Sequence, residues 1–366
     1  MRALPGISLP WLTRKPHNMA NCARPNAVLI SRFKMATKPG LLALVTFLAV
    51  VFTGALTFAT WELPRLLSNW LSNYFPEINP TIEPERVVEF MVYARPIGYV
   101  CLGIIIVMII VGFLTGKRRL SVLGSFAFFL PTFGYFAASM FFLAGLGILR
   151  VPWIPFWDPT INLVTLGDIS YLPYMILVYP FSLVGVDLRS ALALVAVGLG
   201  LLIFTLGTIA WFYGKVQRRE TIDFWIYRYS RHPQYLGFII WSYGVMLIAA
   251  QAPVPFGGEN PGASLPWLLS SLIIICIALA EEISMSKRDS EAYSKYKSSA
   301  PFMFPLPKFI ISAITAPIRI LFKKNQPGNG KELIGTFAVY SVILIMLSLP
   351  FVLLNWPPGL GWSAWP

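Results

Sequence analysis

Charge is scarce in this chain: 12% of its 366 residues are charged, against 56% hydrophobic. That balance excludes a water-soluble globular domain and calls for a multi-pass membrane protein. Histidine is scarcer still, with only His17 and His232. The three cysteines, Cys22, Cys101 and Cys276, form no CxxC, and two of them lie inside apolar runs. Neither a disulfide framework nor a metal site is therefore expected. A long charged or Ser/Gly-rich linker is also missing, so the apolar part reads as one integral membrane domain. Nothing in the sequence calls for a nucleic-acid partner; membrane lipids are the expected surroundings.

Apolar runs long enough to cross a bilayer, about 17 to 25 residues, lie near 40–60, 97–116, 121–149, 190–214, 235–252, 265–280 and 333–355. The expected fold is all-α, a helical membrane protein with about seven spanning helices. Residues 1–38 hold seven Lys or Arg and no acid, which reads as a basic cytoplasmic tail. A transit peptide is the competing reading, with Met35 a possible start. Positive charge near membrane segments marks the cytoplasmic side. Residues 61–96 carry five Glu against three Arg, and Lys117, Arg118 and Arg119 follow the second run. The order is therefore in, out, in. The stretch "YLPYMILVYPFSLVGV" at 171–186 is short and holds Pro173 and Pro180. If it crossed, Lys215, Arg218, Arg219 and the nine Lys or Arg between 282 and 332 would lie outside. It is therefore expected to be re-entrant or interfacial.

Small residues recur every seven positions in the run at 190–214, at Ala193, Gly200, Gly207 and Gly214. Such spacing keeps one helix face small so that another backbone can approach, a packing seam. The "GLG" at 198–200 is no nucleotide loop, because no strand precedes it.

The polar residues gather elsewhere. "YRYSRHPQYLGF" at 227–238 puts two arginines and His232 at the mouth of an apolar run, and Pro233 suits the first turn of a helix. Arg and Tyr are at home at a membrane interface; His232 is not explained that way. A second polar knot, "ALAEEISMSKRDSEAYSKYKSSAP", follows about 50 residues later. Its adjacent carboxylates, Glu281 and Glu282, are costly at the end of an apolar helix unless they meet water or cations. A helix, a Pro/Gly turn ("APVPFGGENPG") and a helix form a hairpin that returns Glu281 and Glu282 to the membrane face of Arg231 and His232. One cytoplasm-facing pocket lined by Arg, His, Tyr and two Glu is the expected arrangement.

"RHPQYLG", then "EE", then "EAYSKYK…P" resembles the isoprenylcysteine carboxyl methyltransferase and phospholipid N-methyltransferase group of integral membrane enzymes. "WS.G" at Trp241, Ser242 and Gly244 and "EEIS" at 281–284 resemble the isoprenylcysteine branch. The resemblance covers about 221–307. It implies a methyltransferase core there; outside it, 39–220 read as N-terminal transmembrane helices of unknown role and 308–366 as an interfacial segment and a last transmembrane helix. It also implies methyl transfer from S-adenosyl-L-methionine to a lipid or prenylated substrate. By that analogy His232, Tyr235, Leu236 and Gly237 contact the cofactor, Glu281 or Glu282 binds its ribose or amino end, and Arg231 orients the acceptor. A carboxylate acceptor is ionised near neutral pH and needs no base; a lipid amine must shed a proton, with Glu281 or Glu282 as the available base.

The chain departs from that group in two places. Trp225 stands where a Gly precedes the motif, and "KSSAP" lacks an Arg beside Pro301. The basic stretch 287–331 has two readings: an interfacial helix at 309–324 that covers the pocket and contacts anionic lipids, or a simple solvated, positively charged face. Sterol reductases that use NADPH carry a similar motif, but with Asp where this chain has Phe238. A transporter is the remaining class, since intramembrane charges can mark ion paths.

Overall fold

In lipid every backbone amide must be satisfied within its own segment, so apolar runs of this length fold as helices. The computed structural model describes residues 39–71, 84–129, 155, 163–251, 263–288 and 290–354. Among them are ten α-helices and no strand. The chain divides into two units between Leu42 and Ala43, and the first is described only from Pro39. The basic segment 1–38, most of the predicted third crossing at 121–149, the stretch 150–162 and the turn at 252–262 lie outside the described residues.

The helices are α1 (Pro39–Leu71), α2 (Pro84–Thr115), α3 (Arg118–Phe129), α4 (Leu172–Ser182), α5 (Arg189–Val216), α6 (Pro233–Gln251), α7 (Ser264–Arg288), α8 (Ser290–Ser299), α9 (Lys308–Phe322) and α10 (Gly330–Leu353). Six of the seven predicted crossings correspond to helices long and apolar enough to span a membrane: Pro39–Thr60, Val92–Thr115, Arg189–Val216, Pro233–Gln251, Ser264–Lys287 and Gly330–Leu353. Of the seventh only α3 is described. Helix α4 has 11 residues, about 16 Å of helix, roughly half of a hydrocarbon core. Taken alone it is shorter than the spanning helices.

Helices α5 and α6 form the most extensive pair in the fold, and the seven-residue stripe explains it. Ala193 is fully buried. A Cβ on Gly200 would lie 2.2 Å from the Trp241 amide nitrogen, and one on Gly207 3.0 Å from the Gln234 side chain. The contact is reciprocal, because a Cβ on Gly237 would lie 2.4 Å from the Phe204 nitrogen and one on Gly244 2.6 Å from the Val197 nitrogen. Lipid tails are as apolar as the helix surfaces, so close van der Waals approach has to hold such a pair together.

The 3-10 segment Val164–Tyr171 crosses the start of α7. Gly167 sits so close that a Cβ there would lie 2.2 Å from the Leu265 nitrogen. Asp168 accepts a 2.6 Å hydrogen bond from the Ser264 hydroxyl at that helix start. Helix α10 begins at an Asn329 N-cap, whose side chain accepts from the Glu332 amide at 3.0 Å, while Glu332 accepts from the amide of Gly328, one residue before the cap, at 2.6 Å. Helix α9 is tied to α10 by the Tyr340 hydroxyl, which donates to the Ile314 carbonyl.

Candidate active site

The hairpin of α6 and α7 does return the two polar knots to one place. Pro233 opens α6, which leaves Arg231 and His232 just before its first turn. The Arg231 amide donates to the Pro301 carbonyl at 3.0 Å, fastening this mouth to the chain that follows α8. Helix α7 continues to Arg288, past the apolar run that ends at 280, so Glu281 and Glu282 sit within its last turns. Neighbours on a helix point about 100° apart, and the two carboxylates accordingly meet different surroundings.

Glu282 is sealed, at 2% exposure, beside Arg231 at 7% and His232 at 5%. Its Oε1 accepts from Arg231 Nε at 2.8 Å and lies 3.2 Å from His232 Nε2. A carboxylate held ionised by an arginine can only accept, which makes Nε2 the protonated nitrogen in that contact. Lys297 Nζ lies 3.7 Å from Glu282 Oε2. Arg231 Nη1 donates to the carbonyls of Lys297, at 2.7 Å, and Ala300, at 3.0 Å. The end of α8 thereby supplies two further acceptors to the buried guanidinium, both on Nη1.

Glu281 keeps 30% of its side chain exposed. Its Oε1 accepts from the Tyr235 hydroxyl at 2.8 Å, and its Oε2 lies 4.0 Å from His232 Nδ1. Aromatic rings close the other side: His232 lies 5.8 Å from Tyr235 and 5.2 Å from Phe302 between ring centres, and the Arg231 guanidinium is 5.9 Å from the Phe302 ring. Behind them the Tyr296 hydroxyl donates to the Tyr227 carbonyl at 2.8 Å. Burial pushes the phenols of Tyr227, Tyr293 and Tyr296 up, so they stay protonated at neutral pH.

Five of the seven residues singled out in the sequence, Arg231, His232, Tyr235, Glu281 and Glu282, thus form one cluster. Leu236 is buried in α6, and Gly237 faces the α5 backbone at Phe204. Sequence reasoning missed Lys297 and Phe302, though the tyrosine-rich run that carries Lys297 had been marked. It also left Trp225 without a structural meaning. Trp225 has φ +50°, the left-handed region that a glycine enters freely and a tryptophan does not. Its ring packs 5.0 Å from Tyr213 and 5.1 Å from Phe224. The position at which this chain departs from the resembled group is thus one where the backbone itself favours glycine.

No group of three or more metal-ligating side chains occurs among the described residues. Two cavities flank the site. One of about 370 Å³ lies between α2, α3, α7 and the start of α10, lined by Gly112, Ser121, Ile277, Lys287 and Gly330. The other, of about 650 Å³, opens beside Arg231 and Lys297 and runs along α9.

Residues 188–287 match the phospholipid methyltransferase family, in keeping with the integral membrane methyltransferase resemblance of the motifs. The match runs from the start of α5 to the end of α7 and contains Arg231, His232, Tyr235, Glu281 and Glu282. It stops short of Lys297, Ala300 and Phe302. No curated protein and no solved structure matches the chain.

Proposed function

We propose that the chain transfers a methyl group from S-adenosyl-L-methionine to a lipid-borne acceptor, with the carboxylate of an isoprenylated cysteine or a similar prenyl lipid as the acceptor. One observation supports this most: the family-matched hairpin ends in a sealed Arg231–Glu282–His232 cluster beside a half-open Glu281–Tyr235 pair.

The side chains suit such a cofactor. Tyr235, His232 and Phe302 offer aromatic faces to a cation, and Glu281 offers a partly exposed carboxylate to an amine or a ribose hydroxyl. The bound cofactor supplies an electrophilic sulfonium methyl. What remains for the protein is alignment and exclusion of water. Glu282 holds Arg231 and His232 in place through one oxygen. Arg231 Nη2 carries no hydrogen bond among the described residues and is the guanidinium nitrogen available to an acceptor. Gly237 keeps α6 tight against α5, and Leu236 packs behind it, so both support the cofactor side of the site through backbone position. A carboxylate acceptor needs no base. The "EEIS" and "WS.G" residues favour that acceptor, and the surplus of cations beside Arg231 suits its charge. The site faces the cytoplasm, where the cofactor is.

The test is calorimetric binding of S-adenosylhomocysteine to the purified chain, followed by labelling with methyl-tritiated cofactor and prenylcysteine or phosphatidylethanolamine. We expect binding that weakens roughly fivefold in Tyr235→Phe, the cost of one hydrogen bond, and by more in His232→Ala. We also expect label released as methanol in mild base. Base-stable label in the lipid fraction would move the acceptor to an amine; affinity for NADPH in place of S-adenosylhomocysteine would remove the methyl-transfer reading.

A further inference from the structure

Helix α9 lies beyond the family-matched segment and is two-sided. Lys308, Ser312, Thr315 and Arg319 recur at i, i+4, i+7 and i+11, one stripe along a 3.6-residue helix. Away from that stripe Phe309 and Ile320 are 73% and 74% exposed, as suits a helix lying in a membrane interface. The stripe is solvent-accessible at Lys308, Ser312 and Arg319. It forms one wall of the 650 Å³ cavity, whose other walls carry Arg231, Lys297, Lys324, Asn325 and Gln326.

The charge in that cavity is one-sided. Arg231, Lys297, Lys308, Arg319 and Lys324 line it, and among the described residues no carboxylate does. Glu282 answers Arg231 and Lys297, and Glu332 answers Lys324 at 2.8 Å. Five cations against two carboxylates leave an excess of three positive charges. Lys308 has no ion pair among the described residues, and Arg319 Nη2 donates only to the Ser312 carbonyl and hydroxyl, at 2.7 and 2.9 Å. Cations gathered in a concave site repel one another unless an anion joins them. Guanidinium, ammonium, hydroxyl and amide donors together are the set that binds phosphate oxygens.

We infer that this groove binds the phosphate of an anionic phospholipid headgroup, with the acyl chains beside the apolar side of α9. The ligand's phosphate would share Arg231 and Lys297 with the catalytic cluster, which makes membrane charge an input to the site. The inference does not depend on the methyl-transfer reading.

The experiment titrates the full chain in a zwitterionic detergent with short-chain phosphatidic acid, short-chain phosphatidylcholine and inorganic phosphate, by calorimetry. Phosphatidic acid is expected to bind at least tenfold tighter than phosphatidylcholine, and to weaken about 25-fold in Lys308→Gln/Arg319→Gln, where two interfacial charges are lost. Lys308→Arg/Arg319→Lys should keep the affinity. Lys331→Gln, one exposed charge lost outside the groove, should change it by less than about twofold. S-adenosylhomocysteine binding should be the same in all variants. Equal affinity for phosphatidic acid and phosphatidylcholine, or equal loss in Lys331→Gln, would overturn the inference. Inorganic phosphate binding as tightly as phosphatidic acid would replace the lipid with a free anion and overturn it likewise. A chain that binds phosphatidic acid through the groove but no S-adenosylhomocysteine would keep this inference and lose the proposed function.

Discussion

Glu281 and Glu282 are identical neighbours separated only by the turn of a helix, and the structure gives them different work. Glu282 holds Arg231 and His232 on one buried oxygen, so removing it leaves a guanidinium in a dry site without its counter-ion. Glu282→Ala should destabilise the folded protein by roughly 3–5 kcal/mol, the usual cost of breaking a buried pair, and thermal unfolding in detergent measures it. Glu281→Gln should barely shift the unfolding temperature, because its partner Tyr235 can still donate to an amide oxygen; S-adenosylhomocysteine titration should show the loss instead. A Glu282→Ala protein as heat-stable as the parent would show that Arg231 finds another acceptor. The meeting of these residues was legible in the sequence, because a hairpin of two spanning helices has to bring its ends to one face. Which glutamate is sealed was not, since adjacent helix positions differ only in direction and the direction is set by what packs around them. Lys297 and Phe302 were equally hidden: they arrive from a segment whose path across the site no local pattern encodes.

Among the helices, the small-residue stripe was the most readable feature, and it separates two glycines two positions apart. Gly200→Leu should split α5 from α6 and cost about 1–3 kcal/mol or more, as overpacking does, because even a Cβ there meets the Trp241 backbone at 2.2 Å. Gly198 has nothing within 4 Å, and Gly198→Ala should be neutral or stabilising by up to about 1 kcal/mol through helix propensity. Thermal unfolding of the two variants side by side tests the seam, and equal shifts would refute it. Spanning helices are legible because lipid imposes a length and a composition. Short connectors are not: neither the left-handed Trp225 nor the 3-10 segment over α7 leaves a periodic trace. In that segment burial pushes Asp168 up to about 7, although the hydrogen bond from Ser264 acts the other way. Its folded value lies above the unfolded value of about 3.9. The folded state therefore favours the protonated acid, and stability is full below pH ~4 and declines as pH rises to about 7. Asp168→Asn should flatten that decline in unfolding temperatures recorded across this window; an unchanged slope would assign it to another group.

For the whole molecule, the charge bias of the sequence predicts that the mouth of α6, α8 and α9 lie on the cytoplasmic side. Ser298 is exposed on α8, so Ser298→Cys in a chain otherwise free of cysteine should react with a membrane-impermeant maleimide added to inside-out vesicles and stay unlabelled in right-side-out ones. Labelling in the opposite pattern would invert the topology. The number of crossings was legible only as far as apolar length could be counted. The proline-broken 171–186 stretch required the charge argument as well, because length alone does not separate a short crossing from a segment that turns back.

Arg231 takes two further acceptors from the carbonyls of Lys297 and Ala300, which are synthesised some seventy residues after it. A nascent chain that has inserted α5, α6 and α7 already contains every residue of the family match, yet its arginine still lacks those acceptors and its groove has no α9 wall. The site is therefore finished late in synthesis, and a protein shortened at residue 288 should insert into the membrane without becoming competent to bind either of its proposed ligands.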